Sequence, residues 1–240
     1  MTFKTLMVAG TSAFALAACG GSETPSIEDA PAPPVEAEAT SEAAELHPSL
    51  VDVAAADYSL EKTHAFMTVK VGHGGGISAY RISFTDFDGD LSFDPADPEA
   101  ASLTFTINPL SVETNYPGDY KAGHADSAWE SWNEDVARDA KWLNADAFPE
   151  ITFVSTDITK TGDLTGTVTG DLTLLGVTKP VTLDVSYNGL ANQPWFGERD
   201  IIGFDASTSI MRSEFGMAAA IPNISDAVDV EFSGEFLQDE

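Results

Sequence analysis

Few side chains in this sequence could carry out chemistry, and their spacing rules out more reactions than it suggests. The only cysteine is Cys19, so beyond that position there is no disulfide, no cysteine-ligated metal and no thiol nucleophile. Four histidines, His47, His64, His73 and His124, could each bind a metal. None falls into His-Glu-x-x-His or a comparable spacing that sets two ligands side by side, so no metal site is expected. The 39 Asp and Glu residues are so evenly spread that no pair stands out as the acid and base of glycoside cleavage. No Gly-x-Ser-x-Gly elbow occurs, and no glycine-rich phosphate loop precedes a helix. These residues predict a protein that is not an enzyme and needs no cofactor.

Cys19 carries a different chemistry. It closes Leu16-Ala17-Ala18-Cys19 after a short apolar run, Leu6 to Ala15, that follows a single basic residue, Lys4. A charged start, an apolar middle and small residues at the cut are the layout of a secretory signal peptide. The run is shorter than the ~20 residues a membrane-spanning helix needs. A cysteine at the cut resembles a bacterial lipoprotein signal, in which the thiol is lipidated and becomes the new N-terminus. Residues 1–18 are therefore expected to be a leader and Cys19 the lipidation site, with two or more acyl chains giving stable attachment. Gly20 rather than Asp follows it, which by the enterobacterial sorting rule points to the outer membrane. The expected location is the bacterial envelope, facing the periplasm.

Charge narrows the partners further. Against 39 acidic residues stand 11 Lys and Arg, a net charge of -28. Such a field repels phosphate backbones, so nucleic acid is excluded, and it disfavours electrostatic adsorption to anionic membranes. From Gly20 to Ala56 the chain is a near-repetition of Ala, Pro, Glu and Ser without Lys or Arg. That composition buries too little apolar surface to order itself, so residues 19–56 read as a lipidated, disordered acidic linker.

The elements begin at about Asp57, where apolar residues alternate with polar ones, the period of strands with one buried face. Ala65, Met67, Val69 and Val71 form one such set, and Leu103, Phe105 and Ile107 another. Val181 to Tyr187, Ile202 to Ile210 and Val228 to Phe236 repeat the pattern, with further strands expected at 151–158 and 168–174. Many short antiparallel strands argue for an all-β sandwich or barrel. One segment departs from it: Trp129, Trp132, Val136 and Leu143 follow helical spacing, and Ser127–Glu130 and Ser131–Glu134 both fit a capping box. A single helix over 127–143 is expected to cover the sheet or close a barrel end.

Several stretches together resemble a known family. They are Asp57-Tyr-Ser-Leu60, Thr63-His-Ala-Phe-Met-Thr-Val-Lys-Val-Gly-His73 and Phe87-Asp-Gly-Asp-Leu-Ser-Phe-Asp-Pro95. Ile107-Asn-Pro-Leu-Ser-Val-Glu-Thr114, Phe148-Pro-Glu-Ile-Thr-Phe-Val-Ser-Thr156 and Ile210-Met-Arg-Ser-Glu-Phe-Gly216 follow the same pattern. The strongest is Gly170-Asp-Leu-Thr-Leu-Leu-Gly-Val-Thr-Lys-Pro-Val-Thr-Leu183. In number and order these resemble the YceI-like family of periplasmic, lipocalin-like proteins, from Tyr58 to Phe236.

The resemblance implies a domain over residues 57–238: an extended eight-stranded antiparallel barrel with one inserted helix. Its long apolar pocket would hold an isoprenoid or other long-chain lipid, with no metal and no chemical step. The lipid tail is expected against Phe66, Phe84, Phe105, Ile107, Phe153, Leu183, Val185, Phe204, Ile210 and Phe232. Cations are scarce, so Arg138, Lys141 and Arg212 are the candidates for a polar head. The chain departs from the family in Arg138-Asp-Ala-Lys-Trp-Leu143, where Lys141 replaces a frequent His, in Gly74-Gly-Gly76, and in an insertion from Tyr116 to Trp132. All three belong to the head-group end. The alternative is a structural or adhesive envelope lipoprotein whose barrel is packed solid. Either would be a monomer or homodimer.

Overall fold

The computed structural model describes residues 46–240. The expected leader, Cys19 and residues 20–45 of the expected linker lie outside the described residues.

Ten strands and two short helices follow in chain order. They are β1 (Ala56–His73), β2 (Ser78–Phe84), β3 (Phe87–Phe93), β4 (Ser102–Ile107), β5 (Val112–Glu113), α1 (Tyr120–Gly123), α2 (Trp132–Arg138), β6 (Ile151–Lys160), β7 (Thr165–Leu174), β8 (Val177–Asn192), β9 (Asp200–Met211) and β10 (Ile224–Gln238). Every pairing is antiparallel, and β10 returns to pair with β1, so β1, β3, β4, β6, β7, β8, β9 and β10 close an eight-stranded barrel. Closure removes the exposed edges that would otherwise invite pairing with another chain. The expected barrel is the observed one.

Strand β1 is long enough to serve two partners on one edge. Its first residues pair with β3 (Ala56 opposite Phe93), and its last with β2 (His73 opposite Ser78). Strand β2 in turn carries β5, so these two form a flap beside the closed ring. Tight turns fix the registers elsewhere. Between β7 and β8 only Leu175 and Gly176 intervene, both at positive φ (53° and 72°), as a type I′ hairpin requires.

Three expectations need correction. The ordered fold starts before residue 57. Pro48–Leu50 form a short 3-10 helix, Leu50 and Val53 are buried, and the Ala54 N–H donates to the Asp200 carboxylate at 2.8 Å. Averaging composition over 19–56 hid the apolar cluster Leu46, Leu50, Val51 and Val53 at its end. The helix is also shorter than 127–143. Ser131 caps it by accepting from the Glu134 N–H, and it stops where Asp139 turns extended (φ -65°, ψ 133°). Ser127 starts no helix; its hydroxyl accepts from the Trp129 N–H and bonds Tyr120. The third concerns Phe66. Opposite β10 the register of β1 slips between Leu60 and Ala65, so the inward face passes from Tyr58 and Leu60 to Met67 and Val71. Phe66 is thereby turned outward and is 69% exposed.

Candidate functional site

The inward faces of the barrel do not meet. They enclose a cavity of about 530 Å³, within the few hundred to a thousand cubic ångströms usual for small-molecule sites. At one end it is lined by Leu50 and Phe93, and at the other by Trp132, Val136, Trp142 and Leu143 of α2 and the loop after it. The first end is stoppered by the 46–54 segment. There the Tyr58 hydroxyl donates to the Ala54 carbonyl at 2.6 Å and that of Tyr187 to the Ser49 carbonyl at 3.2 Å. Burial, with the nearby Asp200 carboxylate, pushes the Tyr58 phenol up to about 12. It stays a neutral hydrogen-bond donor at any physiological pH.

Of the ten residues expected along a lipid tail, Phe84, Phe105, Ile107, Phe153, Leu183, Val185, Phe204, Ile210 and Phe232 line the cavity. Phe66 does not. Several inward residues, among them Leu183, Val185, Phe204 and Phe232, are only half-buried although they face away from bulk water. Their free surface is the cavity wall. Part of the interior is filled by aromatic rings packed mostly edge to face. Phe105 lies 5.5 Å from Phe232 and Phe204 lies 6.2 Å from Phe236, while Phe93 and Tyr187 both pack on Phe204.

The three expected head-group cations behave differently. Arg138 lies outside the cavity lining and pairs with Asp146. Lys141 is outside it too, held by Asp135 at 2.6 Å and Asp139 at 2.8 Å. In return Lys141 holds the Asp139 carboxyl down at about 2, chiefly through its side-chain and backbone hydrogen bonds. Arg212 does line the cavity and is buried, but its guanidinium is committed to the carbonyls of Ser225, Met217, Ala219 and Ile224 at 2.8 to 3.1 Å. Burial lowers its pKa, and nearby Asp226 opposes that. These cations therefore serve the loops that frame the cavity.

Sequence reasoning missed the donors that remain. The indole nitrogens of Trp132 and Trp142 are buried without an acceptor, and both rings line the cavity. A buried N–H left unmade costs about 1–3 kcal/mol. Besides Arg212, the charged side chains that border the cavity are Lys160 and Asp163, on the β6–β7 hairpin. Trp132 also packs edge-on against Tyr116, Tyr120 and His124 of the insertion, with centroids 4.9 to 5.6 Å apart. The helical spacing of Trp132 and Val136 was a usable signal for this end. Tyr80 and Ile82 on β2 could have been found from their alternation with Phe84.

Away from the cavity, Glu61, His64 and Glu235 bring ligand-type atoms within 4.8 Å of one another on the outer face. His64 Nδ1 already lies 2.5 Å from Glu61 Oε2 and 3.7 Å from Glu235 Oε2, a hydrogen-bonded surface pair beside a third carboxylate. Burial alone would raise the Glu61 carboxyl, but bonds from Thr63 and His64 hold it below its usual value.

Comparison with known proteins gives a consistent result. Residues 58–236 match the YceI-like domain. The chain is 38% identical over 186 residues to Protein YceI of Shigella flexneri, covering 77% of this chain and 88% of that one. Among solved structures it is similar in fold to BcnA of Burkholderia cenocepacia (TM-score 0.60, 22% identity, 75% and 99% of the two chains). It also superposes on a polyisoprenoid binding domain from Saccharophagus degradans implicated in plant cell wall breakdown (TM-score 0.53, 17% identity, 76% and 98%).

Proposed function

The chain belongs to the YceI-like family, and on that premise we propose that its barrel binds one long-chain lipid, an isoprenoid or polyprenyl compound, for transport or storage. The observation that carries this reading is the apolar cavity of about 530 Å³ with half-exposed Phe204, Phe232, Leu183 and Val185 on its wall. Such surface gains nothing from water. At about 0.8 kcal/mol per buried methylene, each five-carbon unit gains roughly 4 kcal/mol gross on entering. Ordering of the chain and lost freedom offset much of that gain, so affinity does not follow from area alone. That the structurally similar domain of Saccharophagus degradans is described as polyisoprenoid binding supports the same ligand class.

At the α2 end Arg212 and Lys141 are already satisfied, so neither is free to take a phosphate. The largely apolar lining supports reading the protein as a binder rather than an enzyme. The anchoring proposal completes the reading: cleavage before Cys19 and acylation of its thiol would hold the barrel in the bacterial envelope, on the periplasmic side of the outer membrane.

One measurement addresses both parts. The protein purified from bacterial membranes and weighed under native conditions should carry a long-chain lipid that organic solvent removes. The stripped chain should lack residues 1–18 and bear acyl mass on Cys19. A native mass equal to that of the stripped protein would favour the packed, structural lipoprotein instead. An N-terminus other than an acylated Cys19 would overturn the anchoring.

A further inference from the structure

At one end of the cavity the acidic surface gives way to an uncharged tip. The hairpin joining β1 to β2 contains Gly74, Gly75, Gly76 and Ile77, all exposed, and Ile77 is 87% exposed. Beside it runs the loop that enters β10, with Ile221 and Pro222 exposed. The two are tied together: the Gly74 N–H donates to the Asn223 carbonyl at 2.7 Å, and His73 pairs with Ile224. Neither residues 71–80 nor residues 216–225 contain a single Asp, Glu, Lys or Arg, in a chain that carries 39 acids. All three glycines have positive φ (61°, 71° and 94°), so the tip turns without side chains and presents Ile77 alone.

The same two segments reach the cavity. His73 and Tyr80 from the hairpin side, and Met217 and Ile224 from the loop side, all belong to its lining. The described chain enters the barrel at the other end of β1, whose 18 residues put the two ends roughly 50–60 Å apart.

We propose that this tip docks on the surface of an uncharged or zwitterionic lipid bilayer, with Ile77 and Ile221 entering the interfacial layer. The partner follows from the charge. A molecule with a net charge of -28 is repelled by anionic surfaces, and this charge-free projection borders an apolar chamber. An exposed apolar pair on a polar protein marks an interaction site when it is contiguous and rimmed. Contact is weak and reversible, because two aliphatic side chains bury little area. Its use rests on the lipid-carrier reading: cargo passes between bilayer and cavity at the docked tip without crossing open water.

The test is flotation of the mature chain, residues 19–240 with Cys19→Ser so that no acyl anchor contributes, on phosphatidylcholine vesicles. The parent should float with the vesicles. Ile77→Asp alone should lower the floating fraction at least fivefold with an unchanged thermal midpoint, since that side chain is 87% exposed, and adding Ile221→Asp should lower it further. Equal flotation of parent and variant overturns the proposal. So does a parent that stays at the bottom, or one that floats only when the vesicles carry a membrane protein. Native mass on the same samples separates the two readings. Variant-sensitive flotation without bound lipid would retain the docking tip and remove the carrier role.

Discussion

Phe204 shows what a hollow interior does to a side chain. It points inward from β9, touches Phe93, Tyr187 and Phe236, and still keeps free surface because the cavity lies beside it. In a solid core a carboxylate at that position would cost several kcal/mol and unfold the barrel. Against a chamber it can hydrate. Phe204→Glu should therefore leave a cooperative melt, with a midpoint lowered by several degrees, while lipid retained after purification falls at least tenfold. Complete unfolding would mean that the position is ordinary core. That nine of the ten residues expected along a tail line the cavity was legible because parity along a strand decides which side chains face in. Phe66 was placed against that rule, since it falls between Ala65 and Met67 of the inward set; only the parity of Tyr58 and Leu60, before the slip, would have turned it inward.

Helix α2 and the loop behind it form one end wall. The loop is held by Lys141 between two carboxylates, with Asp135 buried and also accepting from the Tyr120 hydroxyl at 3.0 Å. Asp139 titrates at about 2 when folded, against 3.8 as its ordinary value. A carboxyl whose pKa is depressed by folding adds stability that is full above the ordinary value and is lost as pH falls through the folded one. Wild type should thus melt above Asp139→Asn at pH 5 to 7, and the gap should close between about pH 4 and pH 2. A gap that stays constant across that range would show that the Lys141 contact contributes nothing through charge. The existence of this helix was legible from its periodicity and from Ser131 with Glu134. Its short length was not, because backbone hydrogen bonds returning from Leu143 and Ala145 to Val136 and Ala137 end it, and those are tertiary.

At the scale of the whole molecule, two opposed features share one chain: an outer surface that repels anions and a cavity lined mainly by apolar side chains. Alternation made both legible, since every second residue on strands such as Val181–Tyr187 belongs to one or the other. What alternation could not give is volume. The same inward residues would fit a packed barrel if the strands were less tilted or the rings of Phe105, Phe232 and Phe236 met differently, and only coordinates fix that. The beginning of the fold escaped for a related reason. Leu50 and Val53 matter because they stopper the barrel, a role that depends on Tyr58, Tyr187 and Asp200 far along the chain.

The most direct test of the central claim is an electron-density map of the protein crystallised as purified from bacteria, without delipidation. A continuous tube of density should run from Trp132 and Trp142 toward Leu50. An interior closed by side chains, or one holding only separate water peaks between Phe105 and Phe204, would contradict it.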